Sequence, residues 1–370
     1  MSVNDDVIKA GVASDADYMG RFLRDSQEVN SADISAIIPL CMAPYFSLVL
    51  HEAKLKPQTI DPSVFNGFSA EAEKVCARAR HSLKLFEDNQ RNIEGQLNFF
   101  EDDILKKHSA YFLGNAWLRF ARRWERDLGL FTYEGKIVTT SHAAAFHLGV
   151  DSEKLFQDDR GVYRLSVMQQ MGRCFAALGS RLDTHGGETF IRYLSGSRLK
   201  SADVLASTYY AKSFTGDSTR AAINVALTDF QVRMNFIDNI ITAGSDTSKL
   251  EYTVFKIRYL TLYQVLLSLK LPMGDSRYPL PPASRAVIGK ILTASAGRAV
   301  TDRTVRHFRN TLMHYNLLPS ADNAKVDLTQ PIFGLVPQYF PGYSFEELSG
   351  LVNTSISETA RALNDWSGGV

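Results

Sequence analysis

Apolar positions recur three and four residues apart along most of this chain, the spacing that lines one face of an α-helix. The run from residue 69 to 131 shows it at length. Rows of Ala, Val, Leu and Phe alternate there with Glu, Lys and Arg, and Ser69 stands where an N-cap belongs. The spacing predicts two or more long helices. Shorter helical windows follow, "VYRLSVMQQMGRCFAALGSRL" and "TRAAINVALTDFQVRMNFIDNIITAG", separated by Gly-, Ser- and Thr-rich breaks at "DTHGGET", "LSGSR" and "SFTGDST". Gly129 and "TYEGKIVTT" predict a stop and a small hairpin, the one passage where β-branched residues cluster. The predicted fold class is therefore mostly α, a helical bundle with at most a minor β-hairpin.

The uncharged run "ISAIIPLCMAPYFSLVL", residues 34 to 50, raises the question of a membrane. It is shorter than the roughly 20 residues a bilayer helix needs, and Pro39 and Pro44 interrupt it. A buried core helix or helix pair is expected, with no membrane partner. The break "AGSDTSK", residues 243 to 249, marks the best domain boundary. It divides an N-terminal helical region, residues 1–245, from a C-terminal module, residues 246–370. The first is expected to regulate or select a target and to contain up to two subdomains. The second starts with the apolar helix "LEYTVFKIRYLTLYQVLLSLKL", closed by Pro272. "ASRAVIGKILTASAG" follows as a helix ended by Gly297. Then come a polar helix near residue 310, a Pro- and Gly-rich loop and a last helix from Ser344, a four-helix module of ordinary domain size.

Composition narrows the function classes. The 41 Lys and Arg nearly balance 40 Asp and Glu, so nucleic acid would be met by a local basic patch and not by a global field. Cys41, Cys76 and Cys174 lie far apart, show no CxxC spacing and suit a reducing compartment; the acidic N-terminus "MSVNDDVIKA" is unlike a secretory signal. The expected location is cytoplasmic.

The stretch "TVRHFRNTLMHY", residues 304 to 315, carries the densest candidate chemistry. On a helical wheel Val305, Phe308, Leu312 and Tyr315 share one apolar arc that faces the core. Arg303, Arg306, His307, Asn310 and His314 gather on the other side. Arg309 lies between the two, with a stem long enough to swing either way. A solvated cationic face would look the same. Yet one short element joins a permanent cation with five donors, an amide and an imidazole that titrates near neutrality, which are parts for moving a proton beside a phosphate.

Arg309-Asn310-Thr311-Leu312-Met313-His314 resembles the R-[N/D]-x-x-x-H motif of the HEPN superfamily (higher eukaryotes and prokaryotes nucleotide-binding), and no other Arg in the chain has His at that spacing. The resemblance covers residues 250 to 370 and extends to nothing before 245. It implies a metal-independent endoribonuclease, a toxin or antiviral defence effector, whose active site forms where two motif helices meet in a homodimer. Arg309, Asn310 and His314 would be catalytic, and Arg303, Arg306, His307 and Tyr315 would contact RNA. No cofactor or metal is implied; an antitoxin or regulatory partner is. Two rivals stand beside it: a HEPN-like module that binds RNA, nucleotide or protein without cutting, and a helical scaffold.

Other constellations are weaker. Arg119, Arg122, Arg123 and Arg126 alternate with Trp117, Phe120 and Trp124, a stripe that tracks phosphates or, more simply, a solvated helix face. His142 and His147 are five apart, off the spacing at which two helical histidines share a metal. "DTHGGET" lacks the Lys-Ser/Thr of a phosphate cradle.

Overall fold

The computed structural model describes residues 2–84, 92–108, 125–149, 154, 162–179, 187–216, 221–246, 250–274 and 280–368. Helices dominate. Helix α1 (Val3–Glu28) opens with a reciprocal capping box between Ser2 and Asp5 and buries Val7, Ile8, Val12, Tyr18, Met19 and Phe22. Helix α2 (Ala32–Lys54) starts on Ser31, whose side chain accepts from the Ile34 N–H, and runs unbroken through Pro39 and Pro44. It is the one helix among the described residues that is long and apolar enough to cross a bilayer, and 61% of that stretch lies inside the fold. It packs on α1, on α3 (Ala70–Ser82) and, farther along the chain, on α5 (Ser141–Leu148). Ser69 caps α3 as its position predicts, accepting from the Ala72 N–H.

Helix α4 (Asn92–Phe99) continues as a π-helical stretch to His108, and with α3 it makes up the helix described between residues 69 and 131. Gly129 does not stop a helix. It lies inside strand β1 (Leu128–Tyr133), which pairs antiparallel with β2 (Lys136–Thr140) through a tight turn in which Glu134 and Gly135 both have positive φ. Two consecutive left-handed residues give the turn the twist of the flanking strands. A third strand, β3 (Leu199–Val204), pairs with the other edge of β1, so the expected hairpin is a three-stranded antiparallel sheet in the order β2-β1-β3.

Helices α6 (Val162–Gly179), α7 (Ala206–Lys212) and α8 (Ala221–Asn235) follow, α8 widening into a π turn at Phe236–Ile240 and packing on β2. Then α9 (Tyr252–Gly274) passes through Pro272. The stretch expected as one helix up to Gly297 is two: α10 (Pro282–Thr293) breaks at the extended Ala294, and α11 (Ser295–Thr301) contains Gly297. The polar helix α12 (Arg306–His314), the single turn α13 (Val336–Tyr339) and the capped α14 (Phe345–Ser367) complete the chain.

The apolar core runs across the 243–249 break. Phe22, Phe46, Phe230, Phe255 and Phe308 belong to one buried cluster, α1 packs on α9, and α8 packs on α14. Burial of that shared surface is the main force holding the two sides of residue 246 together. It also brings α1 and α2 to the C-terminal end of α12.

Candidate functional site

Asp302 decides where α12 begins. Its carboxylate accepts from the N–H and hydroxyl of Thr304, a side-chain turn that competes with helix, and Arg303–Val305 form a 3-10 turn instead. The helix ends at Tyr315, which adopts a left-handed backbone (φ 60°) and donates its N–H to the Thr311 carbonyl at 2.7 Å. Val305, Phe308, Leu312 and Tyr315 are buried, as the wheel predicts, and Met313 joins them. Phe308 stands edge-on to Tyr259 at 5.0 Å and to Phe340 at 5.1 Å. Arg306 and His307 are exposed, while Asn310 and His314 are half-buried. His307, Asn310 and His314 follow one another at three- and four-residue spacing, so they form one outward row. Arg303 lies in the preceding turn.

Two of the expected site residues turn inward. Arg309 is only 7% exposed. Its Nη1 donates to Asn310 Oδ1 at 2.9 Å, and its guanidinium stands 5.6 Å from the centre of the Tyr263 ring. The stem that could swing either way packs toward the core, where aromatic faces and an amide replace water around the charge. Tyr315, expected as an RNA contact, is 1% exposed and serves a buried ion pair instead. Its hydroxyl donates to Asp15 Oδ2 at 2.7 Å, beside Lys256 Nζ at 2.6 Å on the same oxygen, and Thr253 Oγ1 donates to Asp15 Oδ1 at 2.7 Å. Lys256 also lies over the Tyr315 ring, 4.0 Å from its centre. Gly11 on α1 makes room for that ring: a Cβ there would sit 2.7 Å from Tyr315 Cδ1.

His314 faces the other way. Its side chain is 33% exposed, and Nδ1 lies 2.9 Å from Oε2 of Glu52, a residue of α2 that is 2% exposed. The second oxygen, Oε1, meets Arg80 Nη2 from α3 at 2.9 Å. Burial pushes the Glu52 carboxyl upward, but the hydrogen bond from His314 and the charges of His314 and Arg80 outweigh it and hold the group below the ordinary carboxylate value. An ionised carboxylate only accepts, so Nδ1 carries the proton and Nε2 occupies the solvent-accessible side of the ring. His51, next to Glu52, is pushed below the ordinary histidine value by burial and then by Arg80.

Residues that sequence reasoning passed over thus complete the site. Glu52 and Asp15 each left a signal: an acid standing at a core position of an apolar row, three or four residues from Leu48 and Val49 in one case and from Val12 and Met19 in the other. Arg80 left none, since its neighbours read as an ordinary charged helix face.

His142 and His147 serve packing. His142 Nδ1 is 3.1 Å from the Tyr210 hydroxyl. His147 Nε2 donates to Asp229 Oδ1 at 2.7 Å, while Arg233 donates to His147 Nδ1 at 2.8 Å and to Asp229 Oδ2 at 2.9 Å. Ser82 Oγ lies 3.0 Å from the same Nδ1, so a serine, a histidine and an aspartate meet as in a hydrolase. The arrangement is a bolt and not a nucleophile site. Arg233 already occupies Nδ1, the Ser82 hydroxyl reaches the Ala79 carbonyl at 2.6 Å, and all four side chains are buried. Among the described residues no group of three or more His, Cys, Asp or Glu is disposed to hold a metal ion. The Arg- and Trp-rich stripe from 117 to 124 and residues 183–186 of "DTHGGET" lie outside the described residues; Thr189 hydrogen-bonds Asp25 through both its N–H and its hydroxyl.

Neither protein-family models, nor curated proteins, nor solved structures give a match to this chain.

Proposed function

We propose that this chain is an endoribonuclease of the HEPN type, acting as a homodimer with α12 at the shared cleft and serving as a toxin or defence effector in the cytoplasm. The observation that carries the reading is His314: one ring nitrogen is held and the other is open to solvent, in one outward row with His307 and Asn310. In this reaction the 2′-hydroxyl of the substrate loses its proton to His314 Nε2 as its oxygen bonds the adjacent phosphorus. The bond from phosphorus to the 5′-oxygen breaks, and that oxygen takes a proton from Nε2 of the corresponding histidine across the dimer, which enters the step as the imidazolium and leaves it neutral. The products are a 2′,3′-cyclic phosphate and a 5′-hydroxyl, and no metal takes part. Exposed Arg306 and His307 meet the phosphates. Arg309 acts through Asn310, whose amide oxygen it holds.

The burial of Arg309 favours a second reading, a module of the same type that binds RNA, nucleotide or a protein partner through Arg306 and His307 without cutting. Purified protein on end-labelled single-stranded RNA with EDTA present separates the two. Cleavage with cyclic-phosphate ends supports the nuclease. Binding without cleavage, or cleavage that requires magnesium, refutes it.

A further inference from the structure

The motif helix does not orient its own histidine. Nothing on α12 touches His314 Nδ1; the partner is Glu52, far earlier in the chain and on α2. We propose that Glu52 is the positioning residue of His314: by accepting from Nδ1 it fixes the ring's tautomer and turns Nε2 outward. For catalysis this rests on the nuclease reading above; for the state of the ring it rests on the contact alone.

The chemistry of the contact is specific. A neutral imidazole in water favours the proton on Nε2, which would leave no lone pair there to take a proton. Glu52 reverses the choice because an ionised carboxylate only accepts: Oε2 faces His314 Nδ1, and Oε1 lies 2.9 Å from Arg80 Nη2 in an ion pair that lacks hydrogen-bond geometry. Arg80 is buried, so its charge stays beside Glu52 unscreened by solvent. The same logic, a carboxylate that holds a histidine in one tautomer, governs triads built on other folds. Here the carboxylate comes from the N-terminal region and the histidine from the motif, so the chemical unit spans both.

Glu52→Gln is the discriminating substitution, because it keeps shape and removes one acceptor. Arg80 cannot accept, so its charge draws the single amide oxygen to its side. The amide NH2 then faces Nδ1, which must become an acceptor, and the His314 proton moves to Nε2. Long-range proton–nitrogen NMR on the full chain with labelled histidine reads this directly, the His314 signal being assigned by its loss in His314→Gln. The expected result is Nδ1–H in the wild type and Nε2–H in Glu52→Gln. On RNA, kcat should fall on the order of a hundredfold or more with KM nearly unchanged, as expected when a base is in the wrong tautomer. Nε2–H in the wild type, or Nδ1–H in a folded Glu52→Gln, overturns the inference. If Glu52→Gln does not fold, the wild-type tautomer alone decides. If the wild type cuts no RNA, the nuclease reading falls while the tautomer still decides the role of Glu52.

Discussion

Asp15→Asn tests what holds α12 in place. In the native chain three donors converge on the Asp15 carboxylate: the Lys256 ammonium, the Thr253 hydroxyl and the Tyr315 hydroxyl. Every group is buried. Asparagine offers one oxygen and a donating NH2, so one of the three donors loses its acceptor and Lys256 loses its counter-charge. Removing one partner of a buried pair costs about 3–5 kcal/mol, and most of that is the ammonium left without an anion. Burial already pushes Lys256 below the ordinary lysine value, with Asp15 opposing it, and without Asp15 the depression deepens. A base whose folded value is depressed is bound by a proton more readily in the unfolded chain. The stability cost is therefore full at neutral pH and shrinks as pH rises toward the ordinary lysine value. Urea unfolding of the full chain, followed by both tryptophan fluorescence and far-UV dichroism between pH 6 and 10, measures this. A second variant, Asp15→Asn with Lys256→Met, replaces the stranded cation with an apolar chain and should regain most of the loss. A loss under about 1 kcal/mol, or one the double variant leaves untouched, would refute the assignment of the pair as the anchor.

Three further outcomes follow from particular contacts. Gly149→Ala should destabilise by about 2–4 kcal/mol in the same urea assay, because Gly149 has φ 63° and an added Cβ would lie 2.4 Å from the backbone nitrogen of Ala79. His314→Gln should lower RNA cleavage on the order of a hundredfold while near-UV dichroism stays native, since the ring is partly exposed and Glu52 keeps Arg80. Burial and then Arg233 hold His147 below the ordinary histidine value, so the folded chain resists a proton that the unfolded chain takes up, and stability should fall as pH drops below the ordinary histidine range. His147→Gln should flatten that part of the stability profile; an unchanged slope would place the acid sensitivity elsewhere.

Periodicity made the helices legible, because burial of one face every 3.6 residues is a local property of the sequence. Ser69, the capping residues before α14 and the Glu134-Gly135 turn were readable for the same reason: each acts on backbone groups within three residues. The misreadings share a different cause. Pro272 does not end α9, Gly129 lies in a strand and Gly297 sits inside α11, since tertiary packing overrode the local preference of a single residue. Strand β3 could not be read from "LKSADV", where four middle residues are exposed and no apolar alternation survives. On α12 the wheel located the buried arc and the outward row, but the direction of Arg309 depended on Tyr263, and the fate of Tyr315 on Asp15, partners far away in the chain.

His314 and Tyr315 are neighbours at the end of one short helix, and they are fastened in different directions. Glu52 from α2 takes the histidine, and Asp15 from α1 takes the tyrosine. The left-handed backbone at Tyr315 makes this possible: it ends the helix abruptly and lets consecutive side chains diverge. A non-glycine residue in that conformation is strained by about 1–2 kcal/mol, which the buried ring and its bond to Asp15 must offset. The geometry of the motif's histidine is thus a property of α1 and α2 as much as of α12. A substitution at Glu52 or Asp15 therefore acts on the end of α12 without changing a residue of that helix.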